Sequence, residues 1–186
     1  MDMLEPRIQQ HFFDSADLQY QTAETLSRPL AEAAQAIVGA LTSGGKLLIG
    51  GGAGGAAALA AYAATLAVGR FERERPPLAA LALVTDVAAV AQLQALGQPG
   101  DVLLLLSAGG DVAPLRALLD AAHSGDLSVV LLAPAGSALF EPLTDTDVAV
   151  AVPHERAARL LEAELLALHA LADAVDLQLM GEQDPA

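Results

Sequence analysis

The sequence contains no cysteine and no tryptophan, only 3% aromatic residues, and a single lysine, Lys46. The absence of cysteine excludes disulfides, thiolate metal sites and thiol nucleophiles. Nine Lys and Arg against 23 Asp and Glu give a formal net charge of −14 with no basic stripe. Such a field repels phosphate backbones and anionic lipids, so we expect no direct binding to nucleic acid or to a membrane.

The composition is otherwise that of a folded domain. The chain has 186 residues, of which 54% are hydrophobic and 17% charged, enough to bury one substantial core. It has no N-terminal segment in which basic residues precede an apolar run, which predicts a cytoplasmic protein. No cofactor or metal motif is evident, and we predict none.

One uncharged stretch, residues 47–69, has the length of a membrane span. It is interrupted by Gly50–Gly55, which contains five glycines, and each glycine disfavours a continuous helix by about 1 kcal/mol. The remaining apolar segment, 56–68, would extend only about 20 Å. The stretch is therefore predicted to be a buried strand, a glycine-rich turn and a buried helix.

Apolar runs of strand length alternate with helical patterns along the chain, which is typical of a parallel sheet covered by helices on both faces. The predicted strands are Lys46–Gly50, Ala79–Val84, Val102–Ser107, Leu127–Ala133 and Asp147–Val152. The predicted helices are Glu5–Leu26, Arg28–Thr42, Ala56–Val68, Val87–Leu96, Ala113–His123, Ser137–Leu143 and Glu155–Leu179.

This order of elements predicts a single α/β domain over residues 1–186, a three-layer α/β/α sandwich with a five-stranded parallel sheet. Its parts are N-terminal helices (1–43), an α/β core (44–153), a C-terminal helix (154–180) and a tail (181–186). The terminal helices could also pack against another subunit.

A glycine-rich turn between a first strand and a helix presents backbone N–H groups to an anion. The turn is not a P-loop, because no Gly-Lys-Ser/Thr closes it. A dinucleotide fingerprint fits poorly, since the acidic residue expected about 20 positions later would fall within the charged run 70–75. Nucleotide chemistry is therefore not predicted.

The segment 45–76, with Gly-Gly-Ala-Gly-Gly, an Ala-rich helix and Gly69-Arg70-Phe71, resembles the sugar isomerase (SIS) domain of bacterial phosphoheptose isomerases. It also resembles their non-catalytic relative, the DnaA initiator-associating protein. Further similarity lies in Ala95–Leu104, Asp147–Pro153 and Ala158-Arg159. The resemblance implies a flavodoxin-like SIS fold and a homotetramer, or a homodimer, with pockets between subunits.

At four positions the isomerases of this family carry a His, a Glu, a Gln and a second His, in acid/base or metal roles. This chain has Tyr62, Leu66 and Leu161 at the first three, and only His169 is retained. Isomerisation needs a base and an acid, and the sequence suggests no partner for His169. The resemblance thus implies that no catalytic set is intact.

The phosphate contacts of the family are also reduced. A serine that ends the glycine turn is Ala56 here, and of a serine- and threonine-rich loop after the third strand only Ser107 keeps its hydroxyl. Asp111 adds a negative charge where a phosphate would bind. The contacts that the resemblance still implies are Gly54, Gly55, Arg70, Ser107, Gly109 and Gly110, with Arg70 in a run that could equally be solvated and self-paired.

After Thr85-Asp86 roughly a dozen residues that close over the family's pocket are missing, by comparison with the family pattern. These losses favour a non-catalytic, oligomeric SIS-type scaffold or regulatory protein that binds a carbohydrate derivative or associates with DnaA. Leu179 and Met180 match an apolar pair that contacts DnaA in the family. Two alternatives remain: a phosphoheptose isomerase with an altered site, using acids such as Glu162 or Glu164, and a small-molecule sensor with an apolar pocket of Leu59, Tyr62 and Leu66.

Overall fold

The structure is a computed structural model that describes residues 3–84 and 88–182. Within these residues, five strands alternate with helices after one long N-terminal helix. The elements are α1 (Leu4–Thr42), β1 (Leu47–Gly51), α2 (Gly55–Val68), β2 (Ala80–Ala82), α3 (Ala89–Leu96), β3 (Val102–Leu106), α4 (Ala113–Ser124), β4 (Ser128–Pro134), a 3₁₀ helix (Ala138–Phe140), β5 (Val148–Val152) and α5 (Ala157–Met180).

The five strands form one parallel sheet in the order β2-β1-β3-β4-β5. All five residues of β3 are buried, as are the central residues of β4. These strands are continuous apolar runs because helices cover both faces of the sheet. The predicted fold class, a five-stranded α/β/α sandwich, is confirmed.

The core is divided by the sheet into two apolar clusters. Residues of α1, α2 and α5 pack on one face, and residues of α3 and α4 pack on the other. Successive strand residues alternate between the clusters: Ile49 contributes to the first and Leu48 to the second. The two terminal helices, α1 and α5, therefore lie together on one face, where they pack against each other.

The two N-terminal helices predicted from the sequence are one helix. Pro29 lies inside α1 and lacks the N–H that would continue the backbone ladder. The helix continues because its buried residues on both sides of Pro29, Leu26 before it and Ala33 and Ile37 after it, pack into the same cluster. Tertiary packing here outweighs the local cost of the proline.

Two other predicted elements are shorter than expected. The strand predicted at Ala79–Val84 is Ala80–Ala82, an edge strand that pairs on one side only. The helix predicted at Ser137–Leu143 is only the 3₁₀ turn Ala138–Phe140, with Ser137 Oγ accepting from the Leu139 N–H. Thr85, Asp86 and the predicted helix start at Val87 lie outside the described residues, as does the end of the tail.

The uncharged stretch 47–69 contains β1, the glycine-rich turn and α2, as predicted. In residues 3–84 and 88–182, no helix combines the length and the apolar character needed to cross a membrane.

Candidate functional site

The glycine-rich turn joins β1 to α2 at the carboxyl edge of the sheet. Gly54, which precedes α2, has φ +73°, a conformation that favours glycine. A β-carbon at Gly51 would overlap the carbonyl of Ala56, and one at Gly55 would overlap the side chain of Leu161. The turn is therefore closely packed against the first half of α5.

A cavity of about 320 Å³ opens at the carboxyl ends of β3 and β4. We call it the Ser107 cavity. Its walls include Ser107, Gly109, Ser137 and Glu155, together with Val112 at the start of α4. A second cavity, of about 480 Å³, lies beside the glycine turn and reaches Asp111. In sheets of this strand order, ligands bind at the carboxyl edge between β1 and β3, whose connections leave on opposite faces of the sheet.

Two side chains from different helices meet on the face of the sheet that α2 and α5 cover. Tyr62 of α2 and His169 of α5 are hydrogen-bonded, with 2.9 Å between Tyr62 Oη and His169 Nε2. The ring of Phe71 stacks on His169, with 5.3 Å between ring centroids. We call Tyr62 and His169 the Tyr62–His169 pair. The expectation that His169 has no partner was wrong, because Tyr62 was interpreted only as the replacement of a histidine.

The two other positions at which the isomerases of the family carry catalytic residues, a Glu and a Gln, are occupied by leucines that pack against apolar or backbone groups. Leu66 is buried in α2, and Leu161 lies against the glycine turn. Within the described part of the chain, no three His, Asp or Glu side chains converge as a metal site would require. A phenol, one imidazole and two leucines are a donor set that does not fit a divalent metal.

The apolar sensor pocket is not formed by the residues predicted for it. Leu66 borders an internal cavity of only about 40 Å³, walled by α1, α2, α5 and the sheet. Neither Leu59 nor Tyr62 borders it. The volume is about that of one water molecule, which leaves no room for an organic ligand.

Arg70 is exposed and pairs with Glu74, as the self-pairing alternative predicted. The same run also contains residues bound to α5, which that alternative did not predict. Arg75 forms a buried ion pair with Asp176, and its guanidinium donates at 2.8 Å to the carbonyls of Leu66 and Ala67, which lie in the last turn of α2.

Leu179 and Met180 form the last residues of α5. Leu179 packs against the first apolar cluster, and Met180 is 40% exposed. A half-buried residue in the core of its own subunit is an unsuitable anchor for a partner. The geometry thus assigns Leu179 to packing.

The sequence suggested Glu164 as a possible acid, but only the structure shows that it is buried. Glu164 is fully buried, and burial raises its pKa from 4.5 to about 8, with the Ser107 backbone opposing the rise. In the sequence, the burial of Glu164 is indicated only by its position within a run of apolar residues on α5. Glu162, the other acid suggested, pairs with Arg159.

A doubly wound parallel sheet with a glycine-rich first turn and a cavity at its carboxyl edge matches the class of SIS domains. Residues 10–133 match the SIS domain family model. A curated phosphoheptose isomerase of Methylibium petroleiphilum is 52% identical over 99% of both chains. The chain belongs to the phosphoheptose isomerase family of SIS-domain proteins.

Solved structures of phosphoheptose isomerases have the same fold as this chain. The phosphoheptose isomerase GmhA from Neisseria gonorrhoeae is 34% identical, covers 94% of this chain and 99% of its own, and has a TM-score of 0.85. The one from Francisella tularensis is 31% identical, with 95% and 99% coverage and a TM-score of 0.86. The alignment with the Methylibium relative runs over 199 positions, more than the 186 residues present here, so this chain lacks residues that the relative has.

These relatives overturn the function predicted from the sequence. Proteins this similar over their whole length are named as enzymes, so the prediction of a non-catalytic scaffold, a pseudoenzyme or a DnaA-associating replication regulator is wrong. The error arose because each replaced side chain was interpreted as the loss of a catalytic group. Tyr62 still brings an ionisable hydroxyl to His169.

Proposed function

We propose that this chain is a phosphoheptose isomerase, an aldose–ketose isomerase that interconverts sedoheptulose 7-phosphate and the corresponding heptose 7-phosphate. The observation that carries the proposal is the hydrogen bond between Tyr62 Oη and His169 Nε2. It joins two groups capable of acid and base catalysis at positions where the family resemblance implies catalytic histidines.

The reaction moves a proton between neighbouring carbons while the carbonyl and hydroxyl exchange places. It needs a base that removes the carbon-bound proton and an acid that donates to the carbonyl oxygen. His169 supplies the base. Tyr62 supplies the acid, and their hydrogen bond allows a proton to pass from one to the other. Phe71, stacked on His169, holds the imidazole ring in a fixed plane and keeps water from one of its faces.

The sugar phosphate would extend from the Ser107 cavity to the Tyr62–His169 pair. The cavity offers the hydroxyls of Ser107 and Ser137 and lies at the start of α4, whose dipole favours an anion.

The chain is further proposed to act as a homotetramer or homodimer. The first half of α1 exposes large apolar side chains that a second copy would cover: Leu4, Ile8, Phe12, Phe13 and Tyr20, each more than half exposed. Contiguous apolar surface of this kind is typical of protein interfaces.

The test is an isomerisation assay on the purified protein with sedoheptulose 7-phosphate. Tyr62→Phe and His169→Ala should each lower kcat by about 10²–10⁴-fold, the usual contribution of one acid or base. Tyr20→Phe is the matched control, because it removes the same hydroxyl group from α1 while keeping the ring that the proposed oligomer surface uses, and it should retain activity. Absence of turnover in the wild-type chain, or full activity of His169→Ala, would overturn the proposal.

A further inference from the structure

Helices α2 and α5 lie side by side, and three contacts mark their register. Gly55 at the start of α2 meets Leu161, and further along the helices Tyr62 meets His169. The third contact is indirect. It is made by Arg75, which lies in the connection between α2 and β2 and bonds to the ends of both helices. Because the contacts advance together along both segments, the two helices run in the same direction.

Arg75 closes the end of α2. Its guanidinium donates at 2.8 Å to the carbonyls of Leu66 and Ala67, and at 3.3 Å to that of Gly69. Carbonyls in the last turn of a helix have no donor within the helix, and a cation there complements the helix dipole. Arg75 Nε donates to Asp176 Oδ1 of α5, and both side chains are 2% exposed. We call Arg75, with these contacts, the Arg75 bridge.

The Arg75 bridge lies in line with the Tyr62–His169 pair. Leu66 is four residues after Tyr62, and Asp176 is seven residues after His169. At these spacings each bridged residue stands on the same helix face as the member of the pair. The separations along the helix axes are about 6 Å and about 10 Å. Since helices are stiff over one or two turns, the spacing held by the bridge also sets the distance between Tyr62 Oη and His169 Nε2.

Apolar packing between the two helices is incomplete beside the bridge. The internal cavity of about 40 Å³ lies there, bordered by Leu66 on α2 and Val175 on α5, and also by Arg75 and Asp176. Side chains that border a cavity forfeit the contacts they would make across it. The ion pair and its hydrogen bonds therefore hold the helices at their distance in this region more than close packing does.

The segment that carries Arg75 also carries Phe71. Its side chains alternate between half-buried and exposed, as in an extended chain. The inward side chains meet successive turns of α5: Phe71 stacks on His169, and Arg73 lies 3.5 Å from Asp173. Arg75 thus also fixes the end of the segment whose phenyl ring covers the imidazole.

We propose that Arg75 is a positioning residue for isomerisation, which sets the separation of α2 and α5 and thereby the hydrogen bond between Tyr62 and His169. It acts only through that pair. Its planar guanidinium bonds to the carbonyls of α2 and to the Asp176 carboxylate at once, and the ammonium group of a lysine does not reproduce this geometry. The inference rests on the proposed function.

The kinetic test is the isomerisation assay on Arg75→Lys, which keeps the charge opposite Asp176. We expect kcat to fall by about 10–100-fold, because a displacement of about 1 Å at the reacting groups has an effect of this size. KM should change by less than about twofold, since neither Arg75 nor Asp176 borders the Ser107 cavity. Arg116→Lys is the control. Arg116 pairs with Asp120 on α4, on the other face of the sheet, and both constants should be retained.

Two comparisons distinguish positioning from stabilisation alone. Leu127→Ala removes a buried side chain of the second apolar cluster at the amino edge of the sheet. It should destabilise by about 2–5 kcal/mol and still keep the wild-type kcat when assayed below its unfolding temperature. In a Tyr62→Phe background the hydrogen bond is already lost, so Arg75→Lys should lower kcat little further. Additive losses, or a wild-type kcat in Arg75→Lys, would overturn the proposal.

A spectroscopic measurement separates this inference from the proposed function, because it needs no turnover. The ¹⁵N chemical shift of His169 Nε2, assigned among the four histidines with His169→Gln, reports the bond to Tyr62. Tyr62→Phe should change this shift in the wild-type background and leave it nearly unchanged in Arg75→Lys. That result supports the role of Arg75 even when no isomerisation is detected, whereas an equal change in both backgrounds would refute it.

Asp176→Asn serves as a second variant if the lysine variant does not fold. It weakens the bridge at α5 and leaves Arg75 on the carbonyls of α2. The response of the His169 shift to Tyr62→Phe should again be reduced, and a full response would contradict a role exerted through the spacing of the helices.

Discussion

The side chain of Leu161 occupies the space in which a β-carbon on Gly55 would lie. The first half of α5 and the glycine-rich turn are thus fitted to each other through a leucine at the position where the family resemblance implies a glutamine. The contact explains why the turn needs glycine at a position where no left-handed φ requires it.

Gly55→Ala should destabilise the protein by about 1–3 kcal/mol, because the added methyl group overpacks against Leu161. In a Leu161→Ala background the same substitution should cost less, since the obstructing atoms are gone. Urea unfolding of the four proteins gives the coupling energy. Gly39→Ala is the control, because Gly39 lies in α1 with open space around its α-carbon, and it should not destabilise. Additive effects of Gly55→Ala and Leu161→Ala would contradict the contact.

Arg75→Ala should destabilise by about 3–5 kcal/mol. It leaves Asp176 as an unpaired buried charge and removes the donors that satisfy carbonyls in the last turn of α2. Arg70→Ala is the matched control from the same segment. Arg70 forms an exposed pair with Glu74. Loss of this pair should lower the free energy of unfolding by no more than about 1 kcal/mol. Equal midpoints of thermal unfolding for the two variants would refute the assignment.

Glu164 should make the protein less stable at high pH. The unfolded chain releases this proton near pH 4.5, whereas the folded chain retains it to about pH 8. The native state therefore binds more protons between these values, and the free energy of unfolding falls as the pH rises through them. Glu164→Gln removes the effect and should stabilise by up to about 5 kcal/mol above pH 8, since the unfolded and folded pKa values of 4.5 and about 8 differ at about 1.4 kcal/mol per pKa unit.

Below pH 4.5 wild type and Glu164→Gln should have similar stability, because both side chains are then neutral. Urea midpoints at about pH 4, 7 and 9 check this, with Glu24→Gln as a control that keeps the wild-type profile. A glutamine variant that is no more stable than wild type at the highest pH would contradict the raised pKa.

Phe12→Asp should lower the proposed oligomeric state. Leu4, Ile8 and Phe12 recur every four residues, so they lie on one face of α1, and a carboxylate there would be buried between copies. Light scattering after gel filtration measures the molar mass. Gln10→Asp introduces the same charge on another face and should leave the assembly intact. A monomeric wild-type chain would refute the interface.

Much of the fold was predictable because it depends on local patterns. Apolar runs of strand length bounded by Pro and Gly identified all five strands, with β2 predicted too long. The helix break predicted between Leu26 and Arg28 does not exist, because the packing of Leu26, Ala33 and Ile37 into one cluster is not visible in local sequence.

The site was less predictable, since it depends on which side chains meet across elements. The sequence by itself determined the α/β class, the glycine turn and the replacement of polar family residues by Tyr62, Leu66 and Leu161. Only the tertiary structure decided that Tyr62 bonds to His169, 107 positions away, and that Glu164 is enclosed among apolar strands. Hydrogen bonding and desolvation depend on distances in space, and these arise only when α2 and α5 pack on the same face of the sheet.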